Sequence, residues 1–247
     1  MSFRLSVNGE DGWLRPAGTL WLPKEETLVV ADLHLEKGSS YAAKGQLLPP
    51  YDTRETLNRL LDEVVDTGAK RLVLLGDSLH DMEAISRIPV AERETVLDLA
   101  RGLELVWITG NHDPDGGAAF GGVTLDALRI GRLILRHEPL PAPADGEVAG
   151  HLHPCAKVLG AGTSVRRRCF ASDGRRLILP AFGAYTGGLS VKDAAFADLF
   201  GEGAFAYLIG PKVTPVTFAR VSPDGAGGRS YRTTAFPKRS RASMTKS

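Results

Sequence analysis

The stretch ELVWITGNHDP, Glu104–Pro114, runs from an apolar segment straight into a glycine, an amide, an imidazole and a carboxylate. Leu105–Ile108 reads as a short buried strand. Thr109–Pro114 alone is ordinary turn chemistry, because Gly, Asn, Asp and Pro favour turns and Asn tolerates a left-handed backbone. The same pattern occurs twice upstream. RLVLLGD (71–77) is an apolar run ending in Gly-Asp, and TLVVADLH (27–34) is one ending in Asp-x-His. Helical periodicity lies between them. In YDTRETLNRLLDEVVDTG (51–68), Asp52 or Thr53 is expected to cap, Leu57, Leu60, Leu61, Val64 and Val65 to form the apolar face, and Gly68 to end the helix. AERETVLDLARG (91–102) is a second helix. Strands alternating with helices predict a parallel α/β sheet, preceded by a short meander through GTLWLP (18–23).

From Leu125 onward the pattern changes to strands and short turns: RIGRLILRHE (129–138), EVAGHLH (147–153), SVRRRCFASDGRRLILP (164–180) and AFAYLIG (204–210). Asp173-Gly174 between two runs of strand formers is a hairpin signal. A second sheet facing the first is expected. The segment Arg220–Ser247 lacks periodicity and holds five Arg and two Lys against Asp224, a net +6. With +1 for the whole chain, the remainder is about −5. The expected organisation is one domain over 1–215 and a basic tail over 216–247, which its composition predicts to be disordered. The tail reads first as a solubilising segment, with salt-sensitive DNA affinity as the alternative.

A net charge of +1 supplies no global field for nucleic acid or a membrane surface. Cys155 and Cys169 form no CxxC pair, which fits free thiols in a reducing compartment. The N-terminus has no apolar signal region, and no run of eighteen apolar residues occurs. A cytoplasmic protein without membrane association is expected.

All six histidines lie in five short blocks: ADLH (Asp32, His34), GDSLH (Asp77, His80), GNHD (Asn111, His112), RHE (His137) and GHLH (His151, His153). In a strand, i and i+2 point the same way, so Asp32 with His34, and His151 with His153, are each expected to grip an ion from one side. Asp77 and Asn111 follow strands at their carboxyl ends, where sites form in parallel sheets. Carboxylate, imidazole and amide donors without thiolate suit Mn²⁺, Fe or Zn²⁺. Seven donors exceed the needs of one ion. Two ions about 3.5–4 Å apart, sharing one carboxylate, would use them all and activate a water for phosphoryl displacement.

These blocks resemble the calcineurin-like metallophosphoesterases, whose pattern is D-x-H, G-D, G-N-H-D/E, a lone H, then G-H-x-H. The resemblance implies a four-layer α/β/β/α sandwich. It places Asp32, His34 and His153 on one metal, Asn111, His137 and His151 on the other, and Asp77 between them. His112 matches the unliganded general acid. Phosphoprotein phosphatases carry Asp-Arg where this chain has His80 and Asp81. A His at the first of these places is similar to the double-strand-break repair nucleases, where it partners the catalytic His. A scaffold subunit of the superfamily lacks the residue matching His112. Together with LWLPKEETLVVADLHLEKGSSYAAKG, AGHLHP and LPAFGAYTGGLSV, the blocks are similar to a bacterial branch of ligase-associated DNA-damage-response endonucleases. That implies Mn²⁺, a DNA substrate, and a ligase, a helicase and a nuclease as partners. A phosphodiesterase or pyrophosphohydrolase acting on nucleotides or small molecules, and a non-catalytic scaffold for repair partners, are the alternatives.

Arg166 and Arg168, on one strand face, are candidate substrate contacts, with Arg175 and Arg176 in the same patch; the other reading is a solvated edge strand. The glycine-rich segment around Gly183–Gly188 either lies against the substrate or turns a corner. Cys155 is expected to be a packing thiol.

Overall fold

A computed structural model describes residues 1–113, 117–160 and 163–224. The first sheet has seven strands in chain order: β1 (Phe3–Val7), β2 (Glu10–Leu14), β3 (Leu20–Leu22), β4 (Thr27–Ala31), β5 (Arg71–Leu75), β6 (Glu104–Ile108) and β7 (Val123–Leu125). Pairing is antiparallel up to β4 and parallel from β4 to β7. Parallel strands laid side by side in sequence, each joined by a right-handed crossover, send the connecting segments to the same face. Helices α1 (Lys37–Ala43), α2 (Asp52–Thr67), α3 (Ala84–Arg87) and α4 (Val90–Gly102) fill those crossovers. Strand alternation divides the core accordingly. Leu28, Val30, Leu72, Leu74, Leu105 and Trp107 pack with Leu57 and Leu60 of α2 and Val96 and Leu99 of α4. Val29, Ala31, Val73, Leu75, Val106 and Ile108 face the other way, toward the second sheet.

The second sheet has nine strands: β8 (Ala127–Ile130), β9 (Leu133–Arg136), β10 (Glu147–Ala149), β11 (Pro154–Gly160), β12 (Thr163–Ser172), β13 (Leu177–Ile178), β14 (Leu189–Ser190), β15 (Phe205–Leu208) and β16 (Thr214–Thr217). Leu133, Leu135, Val148, Phe170, Leu177 and Tyr207 meet the first sheet. Ala149, Cys169, Ala171, Ile178, Ala206 and Leu208 form the opposite face. This is the expected sandwich of two facing sheets, with its second α layer reduced. Among the described residues no α-helix follows residue 102, and the outer face is covered by Val191, Phe200, Phe218 and Val221 with short 3₁₀ turns at Ala194–Phe196 and Phe218–Arg220.

Several expectations are corrected. Asp52 and Thr53 do not cap α2; Asp52 Oδ2 accepts from Gly38 N at 2.9 Å, and Thr53 Oγ1 accepts from Glu36 N at 2.8 Å, so both anchor the start of α1. Val65 is exposed, because its position falls outside the stripe that meets the sheet. Gly68 ends α2 in the left-handed conformation as expected. The boundary expected at 215 falls inside β16, and packing continues to buried Val221. Residues 225–247 of the basic tail lie outside the described residues. No described helix is long and apolar enough to cross a membrane.

β12 is flanked on both sides only in its second half, by β13 and β15; over Thr163–Arg168 its one strand partner among the described residues is β11 and the stretch is largely exposed, as the edge-strand reading expects. Arg176 leaves the surface patch altogether. It is buried, with Nε 3.1 Å from Glu147 Oε2 and its remaining nitrogens donating to Leu199 O at 3.0 Å and Leu140 O at 2.8 Å. Arg176→Met would strand the buried Glu147 carboxylate with Arg136 as its remaining cation. An expected loss of about 3–5 kcal/mol is measurable as a shift in the urea midpoint.

Candidate metal centre

The register Ala31↔Leu75↔Ile108 brings the carboxyl ends of β4, β5 and β6 level, so the segments carrying Asp32, Asp77 and Asn111 emerge together. Backbone hydrogen bonds join the first two: His34 N donates to Asp77 O at 2.9 Å and Leu35 N to Ser78 O at 2.9 Å. From the second sheet, His137 follows β9, while His151 and His153 follow β10.

The paired candidate residues do not lie in strands. Asp32, His34, Asp77, His151 and His153 all have positive φ, between 45° and 67°, a strained backbone for residues with side chains. Left-handed residues at 32 and 34 alternate with Leu33 and Leu35, which are buried in the helix-side core. Asp32 and His34 thus share a side, as expected, by a different backbone. His151 and His153 divide between two groups.

Those groups are Asp32, His34 and His153, and Asp77, His137 and His151, with the donor atoms of each within 4.8 Å of one another. His34 Nε2 lies 3.3 Å from His153 Nε2 and 4.0 Å from Asp77 Oδ2. His137 Nε2 lies 3.2 Å from His151 Nδ1 and 3.4 Å from Asp77 Oδ1. Ring nitrogens facing each other at these distances beside carboxylates are a donor set short of an acceptor of lone pairs, and a cation supplies one. The absence of thiolate from both groups fits a hard or borderline divalent ion. Asn111 is exposed beside His112 and makes no side-chain hydrogen bond among the described residues.

Electrostatics agree. Burial is the largest influence on His34 and lowers its pKa to about 3, leaving a neutral imidazole with its lone pair available. For Asp32, burial alone would raise the pKa, but the charge and hydrogen bond of His153 and the charge of His137 hold it below the ordinary value. His137 is the exception. Burial alone would lower its pKa, yet its hydrogen bond to Asp77 and the charges of Asp32 and Asp77 push it up to about 9.

His112 and His80 stand beside the groups. His112 N donates to Asp77 Oδ1 at 2.9 Å, and His112 Nδ1 lies 2.9 Å from His80 O. A carbonyl only accepts, so Nδ1 carries hydrogen and Nε2 is the free nitrogen, 3.9 Å from Asp77 Oδ2. The two rings stack at 5.6 Å and 15°. Burial lowers the His80 pKa to about 4, so that ring is neutral at pH 7.

Arg166 and Arg168 are engaged with the protein. Arg166 pairs with Asp224 at 3.2 Å and donates to Gly188 O at 2.7 Å, while Arg168 donates to Ala181 O at 2.9 Å. Both support the glycine-rich segment, which lies against the backbone of the site: Phe182 N donates to Ala31 O and Gly183 N to Asp32 O. Cys155 is buried and belongs to neither group.

Sequence reasoning missed Asp113. Its Oδ2 accepts from Ser78 N at 2.8 Å and Leu79 N at 3.1 Å, clamping the segment after β5 to the segment after β6. Burial raises its pKa to about 7. The motif glycines also do more than turn. A Cβ would stand 2.2 Å from His137 Nδ1 at Gly76, 2.2 Å from Asp77 N at Gly110, and 2.7 Å from Asp32 Oδ2 at Gly150.

A two-sheet sandwich with paired donor groups at the strand ends defines a metal-dependent phosphoesterase with a dimetal centre. The chain belongs to the calcineurin-like phosphoesterase family, whose sequence profile matches residues 26–165. Among solved structures it is similar to the nuclease MPE of Pseudomonas putida, with 31% identity and a TM-score of 0.69 over 87% of this chain and 100% of that one. It is also similar to YfcE, a phosphoesterase from E. coli, with 16% identity and a TM-score of 0.38 over 73% of this chain and 87% of that one. No curated protein matches the chain.

Two outcomes are expected. Gly76→Ala should drive His137 from the cluster and lower Mn²⁺ stoichiometry, measured by elemental analysis, while circular dichroism stays native. Because the cation-free site holds a proton on His137 below pH about 9, metal uptake must expel it. Apparent affinity should rise by roughly tenfold per pH unit from 7 toward 9. Calorimetry at pH 7 in two buffers of different ionisation enthalpy should show about one proton released; none would contradict the assignment.

Proposed function

We propose that the chain is a Mn²⁺-dependent phosphodiesterase acting on DNA, an endonuclease of the damage response. The observation that carries this reading is the conjunction of two three-donor groups with the stacked His112 and His80, in a chain 31% identical to a nuclease along that nuclease's whole length. Asp32, His34 and His153 would hold one ion, Asn111, His137 and His151 the other, and Asp77 would serve both. When bound, the ions supply a nucleophile from water and offset the charge of the phosphoester.

The remaining work falls to side chains. His112 is held by its backbone N–H on Asp77 and its Nδ1 on His80 O. Nε2 is then the nitrogen that, in the charged ring, carries the second proton and gives it to the leaving oxygen as general acid. His80 acts by its carbonyl, which fixes that tautomer, and by its neutral ring, which stacks on His112 without repelling its charged form. The repair setting, with a ligase, a helicase and a nuclease as partners in the cytoplasm, is supported by the resemblance of the segments around Asp32, His151 and Gly183 to the ligase-associated branch.

Asp77→Asn should lose metal and turnover together. His112→Ala should keep both ions and lose turnover by roughly 10²–10⁴. The check is metal content beside Mn²⁺-dependent hydrolysis of bis-p-nitrophenyl phosphate, its monoester, cyclic nucleotides and labelled single-stranded, nicked and flapped DNA. Cleavage of small diesters alone would move the assignment to a nucleotide or small-molecule phosphodiesterase. A metal-loaded protein inert on every substrate would favour a scaffold.

A further inference from the structure

Helix α1 stands beside the metal centre and carries a face that the proposed reaction leaves unused. Lys37, Tyr41 and Lys44 are spaced i, i+4 and i+7, which places them along one side of the helix, Lys44 at its C-cap. The Tyr41 ring stacks on His80 at 6.2 Å and 30°, and His80 stacks on His112 at 5.6 Å and 15°. Three rings therefore form a row from α1 to the reacting centre. Both lysines are near enough for their charges to act on His80. Neighbouring cations are engaged: Arg87 pairs with Asp81 at 2.7 Å and Arg54 with Glu92 at 2.7 Å. Lys37 is half-buried and feels the charge of Asp52, Lys44 is exposed, and neither makes a salt bridge among the described residues; the Tyr41 hydroxyl takes no hydrogen-bond partner there. The bonds from Asp52 and Thr53 to the start of α1 hold this face in place before any substrate arrives.

Ammonium groups outside salt bridges attract phosphate, and an aromatic face beside them takes a planar base. We propose that this face of α1 is a nucleotide subsite, in which Lys37 and Lys44 hold the phosphate next to the scissile one and Tyr41 carries the adjoining base. The proposal rests on the phosphodiester reading and adds residues outside the metal cluster that set which phosphate of a chain reaches it.

The test is binding of a fluorescent oligonucleotide by full-length His112→Ala protein loaded with Mn²⁺, by anisotropy across a KCl series. Adding Lys37→Ala or Lys44→Ala should make the slope of log K against log salt shallower by about 0.7 each. Tyr41→Ala should weaken binding roughly tenfold, while Tyr41→Phe, which keeps the ring, binds like its parent. Unchanged slopes and affinities overturn the subsite. Wild-type turnover separates this failure from that of the reading beneath it. If the wild type cleaves the oligonucleotide and the variants bind like the parent, the subsite falls and the phosphodiesterase stands. If the wild type hydrolyses only small diesters and the parent binds no oligonucleotide, both fall.

Discussion

The level ends of β4, β5 and β6 are the constraint on which the rest of the molecule depends. With Ala31, Leu75 and Ile108 in register, Asp32, Asp77 and the Asn111–His112 turn start from one height. A slip of one residue would move a donor by about 3.3 Å along the strand. It would also exchange Val73 and Leu75 with Leu72 and Leu74 between the two cores, which is why the register cannot drift. Sequential strand order has a second effect. It gathers the helices on one face and leaves the other for the second sheet, whose strand ends bring His137, His151 and His153 to the same place.

Concentrating carboxylates there is costly, and the chain offsets the cost locally. Asp32 and Asp77 are buried, and no Lys or Arg pairs with either among the described residues. Imidazoles surround them instead, with His137 as the protonated counter-charge when no cation is bound. Asp113, a third buried carboxylate close by, is moved toward neutrality by burial and by the Asp77 charge, so it clamps two backbone N–H groups without adding a full negative charge.

Much of this is legible in the sequence. The alternation of strand and helix through residue 113, the hairpin at Asp173-Gly174 and the gathering of all six histidines follow from period, turn chemistry and spacing. What escapes are features that depend on distant atoms. Nothing local to Asp32 or His151 signals a left-handed backbone, because that conformation is imposed by the neighbouring segments. Arg166, Arg168 and Arg176 look like a surface patch in sequence, yet each finds carbonyl or carboxylate partners across the fold. The glycines of GD, GNHD and GH read as turn formers, whereas what fixes them is the lack of room for a methyl group against His137, Asp77 and Asp32. Asp113 is conspicuous in the motif, but its job appears only when Ser78 and Leu79 are placed beside it.

The donors divide by origin: Asp32, His34, Asp77 and Asn111 descend from the first sheet, and His137, His151 and His153 from the second. Each of the two carboxylate–imidazole groups draws on both sheets. An ion held by either group would therefore be a rivet through the sandwich. It would close the edge of the two layers nearest the chemistry by coordination, and the resistance of that edge to splaying would become a logarithmic function of free metal concentration.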